Sequence, residues 1–546
     1  QLENKKILIL ERHFQVGGFT HTFQRKRKYE WDVGLHYVGQ LGEDGDLKKA
    51  FDFLTRGQLK WAEMPDVFDK FVYPDFTFEV RKGRNNFRND LIKTFPHEEK
   101  AIRQYFYDLD RVNTWFKINE TKKNVPDFIR PLFNLLPDEK DFALQTVAEY
   151  MNKSFEDERL KAILVSQWGD YGIPPAKAAF AIHCILVSHY FKGAFYPVGG
   201  SGQIAETMLP IIQEKGGHIL LNHRVDEILI ESGKAVGVRA EYLRAGEEEE
   251  PIKEFRAPLI ISGAGAYITY ERLLKNYEDN PYREGLRSFD TKNQTTAHIS
   301  MYLGLKDSPA KLGFGGENHW IFSSLDHDAS FAGRNSWIHK DGPLMCYLSF
   351  PSLKDPQAKA HTAELITFVD YEAFSKWQDT KWTKRGEDYK LLKEKIAEGM
   401  ISFIEKHYPG FRDLIEYQEL STPLTTVSMT GHHRATIYGL AGTPDRFDNE
   451  KSPWCQARTP IKGLYLTGSE ASAWGIAGAM LSGYVTATHL LQPWNMPKIL
   501  SLLAHSPPIK EDGKDNPAEG IDNFNKIKKE STAPIVKEEK QLEGVS

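Results

Sequence analysis

The sequence predicts an α/β fold in which a Rossmann-like dinucleotide-binding domain, assembled from separated segments, carries a mixed α+β substrate domain. Three observations carry that expectation. An apolar strand, Lys6-Ile-Leu-Ile-Leu10, ends in the acid Glu11. A second, Leu464-Tyr-Leu466, runs through Thr467-Gly468 to the acid Glu470, and a glycine-rich helix opens at Gly475. Between them, β-patterned and helix-patterned stretches alternate without an internal repeat.

At the N-terminal strand, an acid in this position of a βαβ unit accepts hydrogen bonds from both hydroxyls of an adenosine ribose and disfavours a 2′-phosphate. FAD or NAD therefore fits better than NADP. Gly17-Gly18 follows a few residues later. The glycine-rich phosphate loop belongs roughly 20 residues upstream of the acid. The chain starts at Gln1, too late to hold it. The expectation is a chain recorded without its first strand, phosphate loop and first helix.

At the C-terminal strand, Glu470 can accept hydrogen bonds from sugar-like hydroxyls. The first free N–H groups of the helix, at Gly475, Ile476 and Ala477, point at negative charge. Glycines at 468, 475, 478 and 483 admit a ring where a Cβ would collide. Read alone, the stretch also suits an ordinary strand–turn–helix corner.

Composition narrows the class. A chain of 546 residues, 40% hydrophobic and 27% charged, can bury two or three domains. A formal net charge of −5 offers no general case for nucleic-acid binding. Cys184, Cys346 and Cys455 are scattered without metal or disulfide spacing, so reduced, buried thiols and no metal centre are expected. No run of 18 apolar residues exists to span a bilayer. The expected location is the cytoplasm or a membrane surface.

In order, residues 1–45 read as a partial nucleotide-binding unit and 46–200 as a helical substrate or membrane-contact region. Residues 201–265 continue the nucleotide domain, 266–455 form the substrate domain, 456–495 return to the nucleotide domain, and 496–546 form an extension. Helix-like spacing covers His97 to Phe116, Leu144 to Asn152, Asp157 to Trp168 and Pro175 to Tyr190. The apolar loop Phe128 to Leu136, punctuated by prolines, suits core packing or a monotopic membrane contact. Strands are expected at His218–Leu221, Val225–Ile230, Ala235–Val238, Leu259–Ile261, Ala297–Leu303, Leu344–Phe350 and Leu365–Val369, and a helix over Tyr389–His407. Glu247 to Glu250 reads as a solvated turn. Beyond Pro507 the polar tail is expected to be disordered.

For chemistry, Asp32-Val-Gly-Leu-His36-Tyr37 lies at a distance from Gly17-Gly18 suited to a loop crossing beside a cofactor ring, with His36 or Tyr37 on the reacting face. A surface hairpin is the alternative. Gly199-Gly200-Ser-Gly202 before a helix suits an anion or any tight turn. His183 and His189, six apart, read as ordinary polar residues, since two ligands on one helix prefer spacings of three or four. His432 and His433 could form a polar cluster at a pocket. No nucleophile elbow supports a hydrolase.

With these pieces assembled, the chain resembles the phytoene desaturase and carotenoid isomerase branch of the FAD-dependent amine-oxidase-like superfamily. The resemblance rests on Glu11 to Phe23, Asp32 to Gly39, Tyr171 to Gly200, Pro351 to Pro356, Lys384 to Tyr389 and Leu464 to Gly483. It covers nearly the whole chain from Lys5 to about Leu491. It implies FAD as cofactor, with Glu11, Gly17, Gly18 and Glu470 as contacts and the strand after Arg224, beginning at Val225, against the adenine. It also implies a lipophilic polyene substrate and hydride exchange with one of its carbons, with NAD(P)H a candidate external reductant. Tyr37 or His36 is the candidate proton source. A redox-neutral carotenoid isomerase, an amine-oxidising relative and a cofactor-free relative of the fold stay open.

Overall fold

The structure, a computed structural model, describes residues 5–491 apart from 43–44, 125–129, 137, 246–250, 294 and 340–341. The expected readings of residues 247–250 and of the tail beyond 507 lie outside that range.

Two short parallel ladders form the nucleotide side. Leu8–Leu10 pairs with His218–Leu220, and the ladder is extended by the Glu11 N–H donating to the Leu220 carbonyl at 2.9 Å. Ile260–Ser262 pairs with Leu464–Leu466. Parallel neighbours need a long crossover, and here the partners are about two hundred residues apart in each case. That is why this side is drawn from separated segments. A three-stranded antiparallel meander, His223–Glu231, Lys234–Tyr242 and Ile252–Arg256, lies between them in sequence. Ile228, Ala235, Leu464 and Leu466 share its apolar core.

The substrate side is a seven-stranded sheet in the order Ile415–Ser421, Ala297–Leu305, His361–Val369, Met345–Ser349, Asn318–Phe322, Val67–Val72, Thr77–Arg81. Only the pairing of Asn318–Phe322 with Val67–Val72 is parallel. One face packs Ile299, Met301, Leu303, Leu348 and Leu365 against the helix Glu387–His407 through Ile396, Met400 and Ile404. The other meets the helical region through Trp320, Phe322, Tyr347 and Phe368. Ala297–Leu305 is therefore buried along its whole length, as a strand covered on both faces must be.

The helical region contains Glu99–Asn124, Val147–Ser154, Glu158–Val165 and Phe180–His189. Thr146 and Glu149 close a capping box on the second of these, and Asp157 caps the third. The apolar loop at its edge is not core: within Arg130–Leu135 and just after it, Leu132, Leu135 and Leu136 are 64%, 83% and 43% exposed. Phe128 lies outside the described residues. Among the described residues, no helix is long and apolar enough to cross a membrane.

Candidate functional site

The Asp32–Gly39 segment is pinned at both ends. Asp32 closes the hairpin strand Tyr29–Asp32, paired with Thr22–Arg25, where a crossing loop or surface hairpin was expected. Its carboxylate accepts the Ser201 N–H at 2.8 Å and the Tyr196 hydroxyl. The anion at the glycines before the helix Gln203–Glu214 is thus the protein's own. At the other end a Cβ on Gly39 would lie 2.0 Å from the His189 carbonyl oxygen, and the Gly39 N–H donates to His189 Nε2 at 2.7 Å. His183 hydrogen-bonds the Tyr105 hydroxyl at 2.8 Å and stacks on Phe180.

His36 lies in a bend, and it and Tyr37 meet different hydrogen-bonding partners. Tyr37 enters the helical core, stacked on Tyr190 at 4.4 Å. Its hydroxyl donates to Asp170 at 2.8 Å and Asp69 at 3.2 Å. Burial beside two carboxyls raises its pKa strongly, which makes it a poor acid. His36 instead faces the seven-stranded sheet. Its ring meets Tyr347 edge-on at 5.1 Å and its Nδ1 lies 3.0 Å from Glu364 Oε2. Burial, then the nearby Lys354 cation, pushes its pKa down to about 3, so the ring is neutral.

Register explains what His36 meets. Tyr302 pairs with Glu364, Glu364 with Ser349, and Asn318 with Asp69, so one row across the sheet is polar. The adjacent row carries Ser300, Ile366, Tyr347, Trp320 and Phe71. Lys354, at the end of the short helix Pro351–Lys354, reaches into the polar row. Its Nζ donates to the His36 carbonyl at 2.9 Å, to Ser349 Oγ at 2.7 Å and to Asn318 Oδ1. Asp69 accepts from Gln167 at 2.7 Å and Asn318 at 3.0 Å. Burial dominates every titration here. It lifts Asp32 to about 6, Asp69 to about 7, and Asp170 and Glu364 to about 8, and lowers Lys354 to about 8. Sequence reasoning missed Lys354 and Glu364 as site residues.

The expected cofactor residues fall into two groups. At one end, the Glu11 carbonyl accepts the His223 N–H at 2.8 Å, which brings Glu11 to the start of the strand holding Val225. The Glu11 carboxylate accepts the His13 N–H at 2.7 Å, and burial raises its pKa. Gly17 and Gly18 form the left-handed turn beyond it, with open space where a Gly18 Cβ would stand. Arg12 donates to the Val427 and Ser428 carbonyls, and the segment after them brings His432 and His433 to a second cleft.

That cleft, about 60 Å³, is lined by Gly263, Gly265, Gly439, His432, His433 and Glu470 among others. Gly468 turns the strand into it with φ +92°. Glu470 Oε2 accepts the Ala266 N–H at 2.5 Å and the Tyr267 N–H at 3.3 Å, while Oε1 accepts the Leu440 N–H at 3.1 Å. A carboxylate offers about four acceptor sites, so one remains. The helix Gly475–Leu490 starts without a side-chain cap, and nothing stands within 4 Å of where a Gly475 Cβ would be. Ile476 and Ala477 pack against the apolar cluster that also holds Leu35 and Val38, the neighbours of His36 and Tyr37. Two of the sequence-predicted stretches, 32–39 and 475–477, therefore contribute to one apolar cluster. An uncapped helix start with free space beside it, and a carboxylate with spare capacity, fit a flavin's polar ring edge and ribityl chain.

The family described as flavin containing amine oxidoreductase matches residues 2–267. The all-trans-retinol 13,14-reductase of Danio rerio is 33% identical over 513 residues, covering 90% of this chain and 83% of its own. Prolycopene isomerase 2 of an Oncidium hybrid cultivar is 24% identical, covering 89% and 80%. A solved oxidoreductase from Methanosarcina mazei superposes with a TM-score of 0.58 at 16% identity, covering 89% and 94%, which speaks to the fold. FAD is the cofactor, and the protein is a flavin-dependent oxidoreductase. At this level of identity over most of both chains, it belongs to the family of the all-trans-retinol 13,14-reductases.

Proposed function

We propose that this protein saturates a carbon–carbon double bond of a polyene isoprenoid, most like the 13,14 bond of all-trans-retinol. The observation that carries the reading is the apolar cluster shared by the 32–39 segment and the start of the Gly475 helix. His36, next to Leu35 in the chain, meets the Tyr347 ring and Glu364, which supports a reading with neutral His36 near the flavin ring. When bound, the flavin supplies hydride chemistry. Glu11 would hold the adenosine ribose, with Gly17 and Gly18 beside it and Val225 against the adenine. Gly468 and Glu470 would meet the ribityl chain, and the N–H groups of Gly475, Ile476 and Ala477 the ring edge. His36, rather than Tyr37, would give the proton that the second carbon needs. An apolar slot specifies a polyene by shape and keeps water out.

Incubating the flavin-loaded, reduced full-length protein with all-trans-retinol tests this directly. A product two hydrogen atoms heavier is expected by mass spectrometry. Unchanged mass would favour the second reading, isomerisation, which the resemblance to the Oncidium isomerase supports. Full-length protein that neither carries nor binds FAD would reject both. For Glu11→Ala, FAD affinity should weaken by about 1–3 kcal/mol, the cost of leaving sugar hydroxyls without their acceptor. An unchanged titration would mean that the ribose lies elsewhere.

A lipophilic substrate suits a protein that touches a bilayer. Leu132, Leu135 and Leu136 stand exposed on one short loop, and we read them as a monotopic contact. Co-sedimentation with phosphatidylcholine vesicles should fall when Leu135 and Leu136 are replaced by serine. Equal binding by both proteins would rule the loop out.

A further inference from the structure

We propose that Glu364 is the proton reservoir of the saturating reaction, working through His36 as a two-proton relay. The inference rests on the proposed function. It starts from an anomaly in the sheet. Glu364 is 1% exposed in the middle of a strand flanked by Ala363 and Leu365, yet among the described residues neither carboxyl oxygen makes an aligned hydrogen bond, though the Asp32 N–H acts on it. A buried carboxyl left that way is costly and calls for a reason. The group it faces is His36, whose Nδ1 stands 3.0 Å from Oε2 and is equally without an aligned partner. A small rotation of the ring makes the bond. The other ring nitrogen, Nε2, then remains to face the site.

The chemistry of the surroundings fits a donor. Asp32 comes from the hairpin, Tyr196 from the strand Ala194–Pro197, Tyr302 from the neighbouring sheet strand and Lys354 from the helix Pro351–Lys354. Asp69 and Glu317 act on Lys354 from its far side, and His298 faces His36. Burial keeps Glu364 protonated up to about pH 8, against the pull of the Lys354 cation and the Asp32 N–H. A neutral imidazole cannot give up a proton cheaply unless its other nitrogen gains one.

The relay meets that need. A bound reduced flavin would supply hydride to one carbon, and the adjacent carbon would take the His36 Nε2 proton. The N–H bond breaks, and a C–H bond forms with the electron pair left from the double bond. In the same step Nδ1 accepts the Glu364 proton. The imidazole ends neutral with its tautomer exchanged, and the negative charge ends on Glu364, facing Lys354.

Glu364→Gln keeps the shape but cannot release a proton. We expect a folded, flavin-loaded variant whose kcat falls roughly 100-fold, the usual size of a lost general acid. Its kcat should also lose the wild-type decline as pH rises through about 8. Independently of turnover, the Glu364 contribution to the thermal midpoint should fall between pH 4.5 and 8, because the folded carboxyl holds a proton there that the unfolded chain has released. Glu364→Gln should flatten part of that fall. Glu364→Asp should restore some of the rate and the alkaline decline, and it carries the test if the glutamine variant does not fold. Wild-type rate and pH profile in these variants would overturn the relay. A wild type that reduces no polyene would instead overturn the proposed function, leaving the melting experiment to judge Glu364.

Discussion

Glu470→Ala should lose about 3 kcal/mol or more of stability together with most of its bound flavin. Three main-chain donors, at Ala266, Tyr267 and Leu440, end on this one carboxylate, and the first and last bonds are buried. Each buried N–H left without an acceptor costs about 1–3 kcal/mol. Two of the donors open the helical turn Ile268–Leu273, so its positive end loses its counter-charge as well. Gly439→Ala should have the same signature by another route, because the new Cβ would lie 2.1 Å from Glu470 Oε1. Denaturant midpoints and flavin absorbance after gel filtration report both effects. An alanine variant as stable and as yellow as the wild type would show that the carboxylate is dispensable.

Lys354→Met should cost about 3–5 kcal/mol, the range seen when one member of a buried charged set is removed. The methionine fills similar space but abandons the His36 carbonyl, Ser349 and Asn318. It also removes the cation that faces Glu364, Asp69 and Asp32. The sign with pH follows. The folded pKa values of Glu364 and Asp69 are raised to about 8 and about 7, so their contribution to stability falls as pH climbs from the ordinary carboxyl range through those values. Without the cation both ionise later still. The variant's deficit should therefore be smallest near pH 5, where both are protonated, and largest above pH 8. Urea titrations at the two pH values check this, and a deficit independent of pH would contradict it.

Much of the scaffold is legible in the sequence because local signals are strong there. The strand that ends at Glu11, the sheet strand expected at Ala297–Leu303 and the helix expected at Tyr389–His407 stand within a few residues of their observed bounds. The polar row was hidden for two reasons. Its members come from strands far apart in the chain, and only the fold decides that Asn318 lies beside Asp69. Glu364 escaped because the strand was expected to begin at Leu365, which leaves an acid looking like a solvated strand end. The available signal was a single acid inside the apolar run from Thr362 to Val369. Lys354 sat within a quoted motif, but nothing local says that a lysine there turns inward. Tyr37 was expected on the reacting face, and the structure instead ties its hydroxyl to Asp170 and to Asp69 of the polar row.

The pairing of Asn318–Phe322 with its two neighbours has a consequence for how this protein can vary. Side chains alternate across a sheet, so a one-residue slip of this strand against its neighbours would invert it. His319 and Ile321 would then enter the chamber, and Asn318, Trp320 and Phe322 would face the long helix on the other side. Residues can accordingly be added or lost inside this strand only where a compensating bulge keeps its parity.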